Sequence, residues 1–189
     1  MKPAPQESCI IPFYNEGERL HEVLDEVVKT RHITEFICVD DASEEDQTTL
    51  IQQRYPAIKL LRLKENQGKS GAVKEGLPYA TGDYILLIDA DLQNLHHHEI
   101  DKAITALRRK PTIDMLILRR INANFYVRLN RSDTPFTGER ILRKSDLEKV
   151  LGEEVRGWQL EAAINNYMLE HNKKVYWMPQ SATNTQKNI

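Results

Sequence analysis

Asp89 and Asp91 stand two residues apart in Asp89-Ala90-Asp91-Leu92-Gln93, directly after the apolar run 84–88. In extended backbone, residues two apart point the same way, so both carboxylates face one cation. Hard oxygen ligands of this kind suit Mg²⁺ or Mn²⁺, which share their coordination shell with substrate phosphates. Gln93 continues the same face and offers a neutral oxygen. An isolated pair of this kind reads most often as two solvated loop aspartates; the strongly apolar strand in front argues for the metal. A second acidic pair, Asp40-Asp41, also closes an apolar run. It reads equally well as a ligand for a base or ribose or as a helix N-terminal pair held by the dipole.

Other segments narrow the chemistry. Gly68-Lys69-Ser70 is not a P-loop, because position 63 holds Leu63 where that motif needs glycine. It reads instead as a glycine turn that presents Lys69 near a helix start, where a diphosphate fits. The dinucleotide fingerprint G-x-G-x-x-G is absent, which disfavours a nicotinamide enzyme. His96, His97 and His98 are consecutive, so their side chains diverge and are not expected to share one ion. Trp158 and Trp177 read as packing residues, Trp158 beside Gly157 being the better substrate platform.

The elements that must position these residues follow from pattern. Short apolar runs at 8–12, 36–40, 58–63 and 84–89 predict buried strands. Between the first two, Leu20, Val23, Leu24, Val27 and Val28 make one helical stripe. Ser43 followed by Asp46 predicts a capping box opening a second helix towards Tyr55. Helices are also expected at 70–79, 97–109, 144–151 and 160–171, with strands at 115–118 and 174–178. This alternation predicts an α/β fold, a mostly parallel central sheet flanked by helices, in one domain spanning 1–189. In such sheets ligands bind beyond the carboxyl ends of the strands. Pro12-Phe13-Tyr14-Asn15-Glu16, Asp40-Asp41, Asn66-Gln67-Gly68-Lys69 and Asp89 to Gln93 all fall there.

Bulk properties bound the rest. The 189 residues are 40% hydrophobic and 29% charged with a net charge of −2, which excludes an overall basic, nucleic-acid-binding chain. Residues 102–144 carry eleven Lys and Arg against Asp114, Asp133 and Glu139. That segment reads as a solvated basic face or as a surface for an anionic acceptor or membrane leaflet. Cys9 and Cys38 lie inside apolar runs and read as small buried hydrophobes. No apolar leader and no stretch of ~18 apolar residues is present, so the expectation is a cytoplasmic chain.

Together these segments resemble family 2 glycosyltransferases of the GT-A (nucleotide-diphospho-sugar transferase) fold, in the branch of polyprenyl-phosphate (dolichol-phosphate) glycosyltransferases. Pro12 to Glu16 is similar to the family's P-x-Y-N-E, and Val39-Asp40-Asp41-Ala42-Ser43 to its V-D-D-x-S. Asn66-Gln67-Gly68-Lys69-Ser70-Gly71-Ala72, with Ala80-Thr81-Gly82-Asp83 after it, matches N-x-G-K-x-x-A and its sequel; D-A-D-L-Q is complete. Thr137-Gly138-Glu139-Arg140 resembles S-G-x-R, and Gly157 to Glu161 the segment before a helix.

The resemblance implies a donor that is a UDP- or GDP-sugar, bound with Mg²⁺ or Mn²⁺. Pro12, Tyr14, Glu16, Asp40 and Asp41 would line the nucleotide pocket, with Lys69 at its rim and Asp89 with Ala90 near ribose or metal. Asp91 and Gln93 would hold the metal, and Arg140 would contact phosphate, with Arg119, Arg120 and Arg131 as further partners. Transfer is expected to invert the anomeric centre. A lipid-phosphate acceptor needs no general base; a hydroxyl acceptor does, and Glu161 or Asp133 is the place for it. Two features depart from the pattern. Only residues 121–135 precede the S-G-x-R turn, where polyprenyl-phosphate enzymes carry a longer insert. Where relatives often place a histidine, this chain reads Thr183-Asn184-Thr185, and Asn184 is a weaker ligand. With no membrane segment before Ile189, the chain is expected to act peripherally on a membrane or on a soluble acceptor. Two alternatives stand beside this reading: a catalytically degenerate nucleotide-sugar-binding domain, and a sugar-nucleotide pyrophosphorylase. The second needs a glycine-rich basic loop where Tyr14-Asn15-Glu16 stands.

Overall fold

The computed structural model describes residues 6–120, 138–152 and 159–184. Strands β1 (Glu7–Phe13), β2 (Ile33–Asp40), β3 (Ile58–Arg62) and β4 (Tyr84–Leu87) alternate with helices α1 (Glu18–Val27), α2 (Thr48–Arg54) and α3 (Gly68–Gly76). A short β5 (Leu92–Gln93) leads to α4 (His97–Arg109), β6 (Met115–Arg120), β7 (Arg140–Arg143), α5 (Lys144–Gly152) and α6 (Gln159–Glu170). The described chain closes with β8 (Val175–Gln180) and β9 (Thr183–Asn184).

Among the described residues seven strands form one sheet in the order β3-β2-β1-β4-β7-β6-β8. All pairings in it are parallel except those of β7, which runs antiparallel to β4 and β6. Every residue of β1 is buried, as a strand covered on both faces requires. Side chains alternate between two cores. Cys9, Ile11, Cys38 and Leu86 meet α1 and α4 through Leu20, Leu24, Ile100 and Ile104. Ile10, Ile37, Ile85 and Ile117 meet α3, α5 and α6 through Val73, Leu147, Leu160 and Ile164. Burial pushes both cysteine thiols well above the ordinary thiol range.

Three features depart from the sequence reading. The second helix starts at Thr48 rather than after Ser43. Asp46 Oδ1 accepts from Thr48 N at 2.8 Å just before the helix, and Ser43 Oγ accepts from Asn15 N instead of opening it. The antiparallel β7 is not among the strands expected from the sequence, since at four residues it carries no distinctive period. The two-residue pair β5–β9 was not expected either.

The segment Ala80 to Asp83 proves to be a staple at the amino ends of the strands. Thr81 donates to Glu35 through its amide (2.7 Å) and hydroxyl (2.6 Å), Gly82 N donates to Ser8 Oγ, and Gln6 N to Asp83 Oδ2. Lys144 Nζ donates to Ala80 O. These bonds fix β4 beside β1 from below, while the loops above are left to bind.

Candidate active site

The chain passes from β1 to β2 and β3 on one side, then returns to β4 on the other side of β1. Loops after β1 and β4 therefore part from each other, which opens a crevice at the carboxyl ends. Tyr14 to Gly17 form one lip. Asn15 (φ 54°) and Gly17 (φ 55°) both take left-handed backbone there. Asn15 N donates to Ser43 Oγ at 3.0 Å and Asn15 Oδ1 accepts from Glu44 N at 2.8 Å, so the β1 and β2 loops are knitted into one rim. Tyr14 is exposed on it, Glu16 is half-buried beside Arg19, and Pro12 is buried inside β1.

The two aspartates after β2 do different work. Asp40 is sealed; its Oδ1 accepts from Ser43 N and its Oδ2 pairs with Arg62 at 2.9 Å, while Arg62 also reaches Ser43 O. Asp40 thus braces the loop. Asp41 Oδ1 accepts from Gln67 N at 2.7 Å and ties this rim to the glycine turn before α3. Burial pushes the Asp41 carboxyl above the usual aspartate range; the amides of Gln67 and Gly68 work against that, and Asp40 adds to it.

Lys69, in the first turn of α3, holds the centre. Its Nζ donates to Asp89 Oδ1 and, at 2.5 Å, to Glu161 Oε1 in the first turn of α6. Burial works against the Lys69 charge, but Asp89 and Glu161 outweigh it and hold the ammonium above the ordinary lysine value. Gly138 lies directly against Asp89: a Cβ there would fall on the carboxylate. Arg140 is fully buried, with Nη1 donating to Asn165 Oδ1 at 3.2 Å and to Glu161 O at 3.4 Å. Burial lowers its pKa, opposed by Glu161, Asp89 and Glu139. Arg140 was expected on the phosphate; it sits among protein groups, where its charge serves the carboxylates from behind.

Asp91 is half-buried and Gln93 exposed, with buried Ala90 between the two aspartates. β5 pairs antiparallel with β9, so Asn184 lies opposite Leu92 and Thr183 opposite Gln93. The terminal loop therefore lands beside the D-x-D segment. Glu99, in the first turn of α4, holds that loop by accepting from Ser181 N (3.0 Å) and Ser181 Oγ (2.9 Å). Among the described residues no group of three or more His, Cys, Asp or Glu gathers to hold a metal. The donor set is instead two carboxylates, one of them already engaged by Lys69. That set fits a hard cation that draws most of its shell from a diphosphate.

The histidine run does not converge on a site. His96 and His98 stack at 5.3 Å, and His97 Nδ1 lies 2.9 Å from Glu26 Oε2. Arg119 is exposed over the Trp177 ring, and Arg120 lies in β6. Arg131, Asp133, Thr137, Gly157 and Trp158 fall outside the described residues. The sequence reading missed Arg62, Glu99 and Asn165, whose roles come from contacts distant in sequence. Gly138 carried a signal in its motif, and the close approach to Asp89 gives that signal its physical reason.

The sequence model described as "Glycosyl transferase family 2" matches residues 8–169. A dolichyl-phosphate beta-glucosyltransferase of Dictyostelium discoideum is 38% identical over 98 residues, which cover 44% of this chain and 30% of that protein. The chain thus spans about a third of the length of this curated relative. Glucosyl-3-phosphoglycerate synthase of Mycobacterium tuberculosis, solved with Mn²⁺, UDP-Glc and phosphoglyceric acid, superposes with a TM-score of 0.82 at 17% identity, over 98% of this chain and 74% of that one. A mannosyltransferase of Pyrobaculum calidifontis, in complex with GDP-Man and Mn²⁺, gives 0.72 at 22% identity over 95% and 56%. At these identities the solved structures establish the fold, and it is the expected GT-A arrangement. The pyrophosphorylase alternative gains no support. Among the described residues no helix is long and apolar enough to cross a membrane.

Proposed function

This chain is a member of glycosyl transferase family 2, and on that premise we propose that it transfers a sugar from a nucleotide-diphosphate sugar, with inversion, to a polyprenyl-phosphate acceptor. The observation that carries the reading is the meeting of Lys69, Asp89 and Glu161 beside Asp91 at the switch point of the sheet. The joined β1 and β2 loops receive the nucleotide, with Tyr14 against the base and Asp41 at the back of the crevice. Asp91 and Asp89 are the residues that hold Mg²⁺ or Mn²⁺ on the diphosphate, with Gln93 alongside. When bound, the cation supplies Lewis-acid neutralisation of the leaving diphosphate. Lys69 adds a second positive charge on the same side, where negative charge develops as the glycosidic bond breaks.

Glu161 faces the acceptor side, with buried Arg140 behind it. A lipid phosphate is already an anion and attacks without a base; Glu161 then positions the acceptor and Lys69. The Dictyostelium relative's name, with dolichyl phosphate in it, supports that acceptor class. A hydroxyl acceptor would need Glu161 to take its proton. The test is Asp91→Ala. Calorimetric titration with UDP- and GDP-sugars in Mn²⁺ is expected to show at least a tenfold loss of affinity, with a melting temperature within about 2 °C of wild type. Unchanged affinity with unchanged metal dependence would remove Asp91 from the site.

A further inference from the structure

The described residues of the basic segment 102–144 do not gather into one charged face. Arg108 is bound to Glu7 through both its Nε and Nη2 atoms, Arg140 is sealed, Arg143 pairs with Asp114, and Lys144 donates to Ala80 O. The exposed cations that remain among the described residues include Arg109, Lys110 and Arg119. Of these, Lys110 and Arg119 approach one rim of the sheet. Lys110 Nζ lies 5.7 Å from the centre of the Tyr176 ring, and the Arg119 guanidinium 5.2 Å from that of Trp177.

That rim is β8, an edge strand of the sheet among the described residues, which pairs with β6. Val175, Tyr176 and Trp177 are consecutive, and 41%, 47% and 56% exposed. Neighbours in a strand point to opposite faces, so the apolar groups flank the edge on both sides. Lys174, just before the strand, is also exposed.

We infer that the β8 rim docks on an anionic lipid bilayer. Tyr and Trp pair an apolar ring with a polar handle and favour the headgroup level. Lys and Arg beside them keep their charge in the polar layer, drawn by the negative surface potential of anionic lipid. Charge decides against a second copy as the occupant. Two-fold pairing of β8 with itself would bring Lys110 and Arg119 of each copy towards the same cations of the other. The inference deepens the lipid-phosphate reading of the acceptor: it places the enzyme on the surface that presents such an acceptor.

Co-sedimentation of the full chain with vesicles tests this without donor, metal or turnover. Failure here therefore leaves donor binding untouched, and loss of donor binding leaves this result untouched. Wild type is expected to sediment with mixed phosphatidylcholine–phosphatidylglycerol vesicles, to be released by salt, and to stay in solution with phosphatidylcholine alone. Tyr176→Ala with Trp177→Ala is expected to weaken partitioning roughly tenfold at an unchanged melting temperature, and Arg119→Glu to weaken it on anionic vesicles as well. Sedimentation of the double variant equal to wild type, or no preference for anionic vesicles, would overturn the inference. So would a concentration-dependent dimer that the same variant abolishes, which would give the rim to a second copy.

Discussion

Replacing Lys69 by Met keeps the length of the side chain and removes its charge, so Asp89 and Glu161 are left facing one another. The lysine is 26% exposed, Asp89 20% and Glu161 10%. Removing one partner of a fully buried pair costs about 3–5 kcal/mol, whereas a solvent-exposed pair contributes about 0–1 kcal/mol. This cluster lies between those limits, and a loss of about 2 kcal/mol is expected. For a chain of this size that lowers the melting temperature by about 4–8 °C. Calorimetry in chelator at neutral pH reads it directly. The pH dependence has a definite sign. Burial lowers the Lys69 pKa, but the two carboxylates outweigh it and raise it above the ordinary 10.5. The stabilisation is therefore complete below that value and lost as pH rises through the higher folded-state value. The gap between wild type and Lys69→Met should stay level through neutral pH and close on the alkaline side. Mn²⁺ alone should raise the melting temperature of the variant more than that of wild type, because Asp89 is then open to the ion. Equal melting temperatures in chelator would refute the reasoning, since they would mean that Lys69 does not neutralise the two acids.

Gly82→Ala tests the staple at the opposite end of the sheet. Its Cβ would stand 2.8 Å from Ser8 N and 2.9 Å from Gln6 O, both backbone atoms, so a loss of about 1–3 kcal/mol is expected. Denaturant unfolding should show that loss while donor affinity stays at the wild-type value. Glu26 gives an acid-side prediction. Burial tends to raise its pKa, but the contacts with Lys29 and His97 win and bring it down to about 2. The stability it contributes is present above the ordinary value of 4.5 and lost as pH falls towards 2. Glu26→Gln should therefore lose about 1 kcal/mol at pH 6 and show a shallower acid slope in a thermal-melt series.

Much of the fold was legible because parallel strands buried on both faces write themselves as unbroken apolar runs. The 8–12 and 36–40 runs are examples, and α1 and α4 show their stripes as plainly. β7 and β9 were not legible. Each is held by partners distant in sequence, β7 by β4 and β6, and β9 by β5. The candidate site was legible as a set of segments that follow strands: Asp41, Lys69, Asp89 and Asp91 all lie in them. What sequence could not reveal was the division of labour. Asp40 and Asp41 are identical in type and adjacent, yet Arg62 turns one into a brace. Arg140 shares a motif with Gly138, yet the strand register puts its charge inside. The charge count over 102–144 does not register that Arg108 and Arg143 are paired with Glu7 and Asp114.

The most direct test of the account is a thermal-shift series with UDP-, GDP- and dTDP-sugars, each in Mn²⁺ and in chelator. Stabilisation by one nucleotide class that disappears with the chelator is expected, since the two aspartates alone lack the ligands to close a metal site. Cooperative melting with no shift for any donor, or a shift indifferent to chelator, would contradict it.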